Sequence, residues 1–266
     1  MYNMSPPNLS ELLSVAQTAA YEGGQSTLGF YGREQLAIET KPDASPVTEA
    51  DKQAEKIILS IIRARRPEDP IIAEESGETS GSGKYRWIID PIDGTKSFIA
   101  GIPFYGTTIG VEDTESGDIV VGILYFPALN DMLWAVKDHG TFRNGRRVRV
   151  APIHTFSETV LLATDIRHIH EAGLSGAFHE LISKVKFFRT WGDCYGHFLV
   201  ATGRAGLMID AKMKIWDSAP LKPIIEEAGG VFCDRAGKAD IRAESVFSGT
   251  PDVMQQFLEI IKRHTI

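Results

Sequence analysis

The run Trp87-Ile88-Ile89-Asp90-Pro91-Ile92-Asp93-Gly94-Thr95 reads as a strand, a proline turn and a helix start. The strand delivers Asp90 and Asp93 to one rim. Pro91 has a fixed φ and no N–H, so it is expected to end the ladder and turn the chain. Gly94 permits a tight turn, and the free N–H groups after it can face an anion. Carboxylates that suit a hard cation, beside amides that suit a phosphate, point to metal-assisted phosphate chemistry. Taken alone, Asp90-Pro91-Ile92-Asp93-Gly94 also describes a surface turn with helix-capping aspartates.

The pattern around this run sets the fold class. Apolar spacing predicts helices over 9–30 and 48–65, the second carrying Asp51 and capped by Thr48. A strand over 70–73 ends on Glu74 and Glu75. Residues 76–84 are rich in Gly and Ser and read as a mobile connector or a lid. Strands follow over 107–111, 119–126, 131–136 and 141–150, with Asn144-Gly145 as a turn. Beyond 156 the rhythm changes. Strands over 159–163, 186–189, 205–209, 230–233 and 246–248 alternate with helices over 171–184, 195–202, 217–228 and 251–263. An α+β half is thus followed by an α/β layered half. The best boundary, 151–156, separates 1–150 from 151–266, and the two halves are expected to form one catalytic unit.

Composition narrows the partners. The chain has 266 residues, 43% of them apolar, enough for a sizeable core. A net charge of −7, with no Lys/Arg run beyond a pair, argues against a nucleic-acid partner. Cys194 and Cys233 belong to no zinc or CxxC pattern and read as reduced thiols. The polar stretch 1–10 has no signal-peptide character, and no apolar run is long enough for a bilayer. A cytoplasmic protein with no membrane partner is expected.

Five acids fall at the ends of predicted elements: Asp51, Glu74, Asp90, Asp93 and Asp217. Each alone is a cap or a solvated charge. If they converge, they repel unless cations neutralise them. Thr95 either caps a helix or orients a water, held in turn by Asp51. The seven histidines show no metal or triad spacing, so a surface or core role is expected for each.

Glu74-Glu75-Ser76, the 87–95 run, Trp216-Asp217-Ser218-Ala219 and Glu227-Ala228-Gly229-Gly230 together resemble the inositol monophosphatase superfamily, in order and over the whole chain. The resemblance implies a layered αβαβα sandwich, usually a homodimer, with magnesium-dependent phosphatase activity on small phosphate esters. It implies that Glu74, Asp90 and the Ile92 carbonyl hold one magnesium, and that Asp90, Asp93 and Asp217 hold a second. A weaker third ion would use Glu74 and water. It further implies a phosphate cradled by Gly94 and Thr95, and an in-line attack by a metal-activated water. Thr95 and Glu74 would orient that water, with Asp51 accepting from Thr95. Asp93 or Asp217 would position the water that protonates the leaving alcohol.

Two segments resemble the histidinol-phosphatase branch: residues 40–51, and Trp191-Gly192-Asp193-Cys194-Tyr195-Gly196. Lys96 does not separate this branch from nucleotide phosphatases. Histidinol phosphate carries an ammonium and an imidazole, so its binder wants carboxylates away from the phosphate. Asp193 and Asp210 fit, or they are a helix cap and a strand end; the resemblance implies an acid at the Asp210 position that contacts substrate hydroxyls, so Asp210 does not discriminate between substrates. Tyr195 or Trp191 lies against the imidazolium or in the core. The expected reaction is hydrolysis of L-histidinol phosphate in histidine biosynthesis. Inositol phosphate, fructose bisphosphate or adenosine bisphosphate is the alternative substrate. A catalytically silent, metal-responsive interaction protein is the third reading, and the complete set of acids argues against it.

Overall fold

Strands of the first sheet send alternate side chains into two different helical layers. The computed structural model describes residues 7–33, 36–42 and 45–264. Residues 1–6, and Asp43 and Ala44 of the 40–51 segment, lie outside the described residues. The first half contains α1 (Pro7–Thr27), the hairpin of β1 (Ile38–Thr40) and β2 (Pro46–Thr48), and α2 (Glu49–Arg65). It continues with β3 (Ile71–Ala73), β4 (Gly77–Thr79), β5 (Tyr85–Asp93), α3 (Thr95–Ile99) and β6 (Gly106–Asp113). Then come β7 (Ile119–Phe126), β8 (Asp131–Val136), β9 (Gly140–Arg143) and β10 (Arg146–Val148). Eight of these strands form one sheet in the order β10-β9-β8-β7-β6-β5-β3-β4. Among its described strands only β3 and β5 run parallel.

The second half contains β11 (Val160–Ala163), α4 (Ile166–Glu171), α5 (Ser175–Ile182), β12 (Phe187–Arg189) and α6 (Asp193–Ala201). It ends with β13 (Leu207–Asp210), α7 (Ile215–Glu227), β14 (Val231–Cys233), β15 (Val246–Gly249) and α8 (Pro251–His264). Its five strands are ordered β12-β11-β13-β15-β14, parallel across β12, β11 and β13.

Period-2 alternation assigns the faces. Trp87 and Ile89 of β5 pack with Leu12 and Ala16 of α1 and Ile58 of α2. Ile88 points the other way, into a core shared with Phe198 of α6, Leu221 and Ile224 of α7, and Met208 and Val246 of the second sheet. The outer face of that sheet is covered by α4, α5 and α8 through Ile169, Leu181, Phe257 and Ile261. The layers therefore stack αβαβα, as the family resemblance implied.

Four expectations are corrected. Pro91 does not end the strand: β5 runs to Asp93, which pairs with Gly106, and a register shift between Asp90 and Asp93 absorbs the proline. The 76–84 connector contains β4, hydrogen-bonded to β3 at the sheet edge. Residues 141–150 are two strands, β9 and β10, paired around the Asn144-Gly145 turn. The 171–184 helix is two helices: α4 starts at Ile166, and Gly173, with φ 68°, breaks the chain before α5.

Candidate active site

The alternation that turns Ile88 inward also turns Asp90 inward, two residues on, where it is 2% exposed. α7 meets it from above. A Cβ on Gly122 of β7 would lie 2.3 Å from the Pro220 carbonyl oxygen, so only glycine lets α7 come this close. Pro220 in turn has no N–H for the Trp216 carbonyl one turn back. That carbonyl accepts from Thr108 Oγ1 of β6 at 3.3 Å, which seats the first turn of α7 on the sheet. Asp217, third in α7, folds back to accept the Lys214 N–H at 2.7 Å. Asp90, Asp93 and Asp217 consequently present oxygens that all lie within 4.8 Å of one another.

This convergence is electrostatically expensive. Burial pushes the Asp90 carboxyl well above the usual range, and the charges of Glu74, Asp93 and Asp217 push it further. Burial and Asp93 do the same to Asp217. Asp93 is also raised by burial, although its Oδ2 accepts the Cys194 N–H at 2.5 Å, which works the other way. Such a group is stable only with protons or with cations. An all-oxygen, acidic donor set fits a hard divalent ion.

Glu74 is positioned by its own N–H, which donates to the Ile89 carbonyl at 3.1 Å and sets it beside β5. Its carboxylate is engaged by Lys41, whose Nζ lies 2.7 Å from Glu74 Oε1 and 2.7 Å from Glu75 Oε1. Burial alone would lower the Lys41 pKa, but the two glutamates raise it above its ordinary value. Burial pushes Glu75 up to about 7 despite the lysine. Glu74 thus stands next to Asp90 but outside the three-carboxylate group. The sequence reading gave Lys41 no role, and a lone lysine beside a turn carries no signal for one.

Thr95 follows Gly94, whose φ of 84° is a left-handed conformation that favours glycine. Thr95 Oγ1 donates to the Ile92 carbonyl at 3.0 Å, and Asp51 Oδ1 lies at 3.5 Å. The nearer partner is therefore the Ile92 carbonyl. Asp51 is chiefly occupied by Thr48, through N–H at 2.8 Å and Oγ1 at 2.6 Å, in a capping box at the start of α2.

A cavity of about 280 Å³ joins Glu74, Asp93 and Asp217 to Thr164, Asp193 and Asp210 from the second half. Asp193 is not the cap of a later helix: α6 begins at Asp193 itself, Gly192 holds the cap position, and no side chain caps it. Asp193 has φ 53°, and its N–H donates to Thr164 Oγ1 at 2.8 Å. Its carboxyl packs on Gly94, where an added Cβ would lie 3.0 Å from Asp193 Oδ2. Asp210 does end β13, and its Oδ2 accepts from Thr164 Oγ1 at 2.7 Å. Burial raises Asp193 well above the usual range, with Asp93 and Asp210 adding to it, and burial brings Asp210 to about 7.

Other expectations fall away from the cavity. Tyr195 stacks on Phe104 at 4.3 Å between centroids and on Phe198 at 5.4 Å, which is a core role. Trp191 is 38% exposed, and among the described residues that line the cavity neither it nor any of 76–84 appears. His168 does line the cavity, with Lys96 and Lys212, against the expectation that the histidines stay outside the site. Thr164 sits just past β11, at the carboxyl end of a parallel strand, where such sites gather. That position was a usable signal in the sequence.

Comparisons with known proteins place the chain in a family. A histidinol-phosphatase of Chlorobaculum parvum is 41% identical over 230 residues, covering 86% of this chain and 88% of its own. An inositol-1-monophosphatase of Mesorhizobium japonicum is 31% identical over 96% of this chain and 97% of its own. The crystal structure of the extragenic suppressor protein suhB from Bartonella henselae superposes with a TM-score of 0.88 at 30% identity, covering 95% of this chain and 99% of that one. Residues 8–265 match the model of the inositol monophosphatase family. The chain belongs to the inositol monophosphatase family and is a phosphoric monoester hydrolase.

Proposed function

We propose that the enzyme hydrolyses L-histidinol phosphate to L-histidinol and phosphate, as a step of histidine biosynthesis. The observation that carries this substrate is Asp193, which lines the cavity with Asp210 but lies outside the three-carboxylate cluster. An inositol ester has no cation to offer it, and a histidinol ester has. The 41% identity to a protein named histidinol-phosphatase supports the same reading.

Magnesium is the proposed metal, held by Glu74, Asp90, the Ile92 carbonyl, Asp93 and Asp217. When bound it would supply positive charge for the phosphate oxygens and a lowered pKa for water. The chain's own groups do the rest. The Thr95 hydroxyl has one proton and two candidate acceptors, Ile92 O and Asp51 Oδ1. Turned toward Asp51, it leaves its lone pairs free to accept from the attacking water, whose second proton faces Glu74. Water oxygen then bonds to phosphorus as the bond to the ester oxygen breaks in line, and the proton that the water sheds passes to Glu74. Gly94 and Thr95 face the phosphate, and Asp93 or Asp217 positions the water that returns a proton to the leaving alcohol. Asp193 and Asp210 hold the cationic part of the substrate.

The two halves, 1–150 and 151–266, are read as one catalytic unit, because acids from both line one cavity. A homodimer is proposed, supported by exposed Phe187 on the edge strand β12 and exposed Trp191 just after it. A reducing, cytoplasmic setting suits two buried, unbridged cysteines. Expression in a histidine-requiring bacterium that lacks histidinol-phosphate phosphatase tests the pathway: restored growth supports the reading, and no growth with soluble, folded protein opposes it.

A further inference from the structure

Building on the proposed reading of this site, we infer that it recognises the amine on the carbon next to the ester-bearing carbon rather than the imidazole. Its substrate class is then the phosphate monoesters of 2-amino alcohols. Asp193 is not at the far end of the cavity. Its carboxyl packs on Gly94, next to Thr95, and the adjacent Cys194 N–H donates to Asp93. The reacting phosphate belongs beside the clustered Asp90, Asp93 and Asp217, which line one pocket with Thr95. Because Asp193 packs on Gly94, beside the proposed phosphate position, a cation that pairs with it must lie close to the ester oxygen. The ammonium of a 2-amino alcohol ester meets that condition, whereas the imidazole of histidinol phosphate hangs from a further carbon and points away.

The acid is also held rigidly, as a specificity group should be. A non-glycine residue at φ 53° is strained, and Thr164 stabilises it by accepting the Asp193 N–H. The same Thr164 hydroxyl donates to Asp210, which ties the two acids into one unit. Behind Asp210 stands His197, fully buried, with Nδ1 2.8 Å from Ser248 Oγ. Its Nε2 has no hydrogen-bond partner and lies 4.0 Å from Asp210 Oδ2. Burial brings the His197 pKa down to about 3, so the ring is neutral and supplies no counter-charge. Among the described residues neither Asp193 nor Asp210 forms an ion pair with a lysine or arginine. Lys96, which also lines the cavity, favours the charged form of Asp193 without an ion pair to it, so an ammonium on the ligand has a carboxyl to pair with.

The test compares kcat/KM for three esters on the magnesium-loaded enzyme. These are L-histidinol phosphate, L-phenylalaninol phosphate (amine kept, imidazole replaced) and 3-(imidazol-4-yl)propyl phosphate (imidazole kept, amine removed). The phenylalaninol ester is expected within about tenfold of the histidinol ester, and the ester without the amine at least about a hundredfold below it. In Asp193→Asn the ratio between the histidinol ester and its amine-free analogue should shrink to about fivefold or less, a ratio that needs no assumption about how much protein is folded. Loss on replacing the imidazole with little loss on removing the amine would overturn the inference, as would equal tolerance of both changes or an undiminished ratio in the variant. A wild-type preference for inositol 1-phosphate over histidinol phosphate would instead defeat the proposed function. The amine ratio would still report on Asp193.

Discussion

Lys41 and Glu74 form an ion pair of 2.7 Å beside the three-carboxylate cluster, with the lysine shared by Glu75. The pair is mostly shielded, at 18% and 17% side-chain exposure. A lysine here neutralises the very acid that is proposed to hold metal, so ammonium and metal compete for it. Lys41→Met is expected to tighten magnesium binding about three- to tenfold by calorimetry. It should also lower the thermal midpoint of the metal-free protein, because Glu74 and Glu75 lose their counter-charge. Weaker magnesium binding in the variant would show that Lys41 supports the site rather than competing for it.

Asp93→Asn removes one charge from a group whose members raise each other's pKa. Turnover should fall by about a thousandfold or more. The metal-free thermal midpoint should stay level or rise, since repulsion is relieved and the amide oxygen can still accept the Cys194 N–H. Magnesium-dependent turnover near the wild-type level would refute the ligand assignment.

The acids also set a pH signature. Asp90, Asp93 and Asp217 are raised, and Glu75 and Asp210 reach about 7, against ordinary values near 4. A carboxyl with a raised folded pKa binds more protons folded than unfolded. Its effect on stability is thus least unfavourable below the unfolded value and worsens as pH rises through the folded one. Buried His197, lowered to about 3, works in the opposite sense between roughly pH 6.5 and 3, but it is one group against several. The metal-free protein should therefore melt higher at pH 6 than at pH 8. Magnesium should raise the melting temperature more at pH 8 than at pH 6, since protons and metal compete for the same oxygens. Equal magnesium-induced shifts at the two values would argue that the cluster is not the binding site.

Gly122→Ala places a methyl group where the Pro220 carbonyl oxygen would be 2.3 Å away. α7 must move off the sheet or the strand must bend, at a cost of about 1–3 kcal/mol. Because Asp217 rides on the first turn of α7, the same change should weaken magnesium binding, which a distant destabilising mutation would not do. Calorimetry on folded Gly122→Ala with unaltered magnesium affinity would show that the close approach serves packing only.

The sequence revealed the strands well and the site's closure poorly, for physical reasons. Strands such as 119–126 and 131–136 are apolar runs bounded by turn residues, a local signal, and they end where it ends. Asp90, Asp93, Asp217 and Glu74 were legible as motif positions. Their convergence rests on Gly122 making room for Pro220 and on Thr108 taking the Trp216 carbonyl, contacts between residues about a hundred apart in the chain. The bulge at Pro91 was misread because sheet partners can absorb a proline that local rules treat as a stop. For Asp193 the sequence leaves a helix cap and a substrate contact both open, because aspartate before an apolar helix suits either. The left-handed backbone of Asp193 depends on Thr164, 29 residues earlier.

The measurement that bears most directly on the account is magnesium-dependent phosphate release. It would compare kcat/KM on L-histidinol phosphate, myo-inositol 1-phosphate, fructose 1,6-bisphosphate and adenosine 3′,5′-bisphosphate. The account predicts a preference of about a hundredfold or more for histidinol phosphate, since only that ester offers a cation to Asp193. A higher kcat/KM on any of the other three would contradict it.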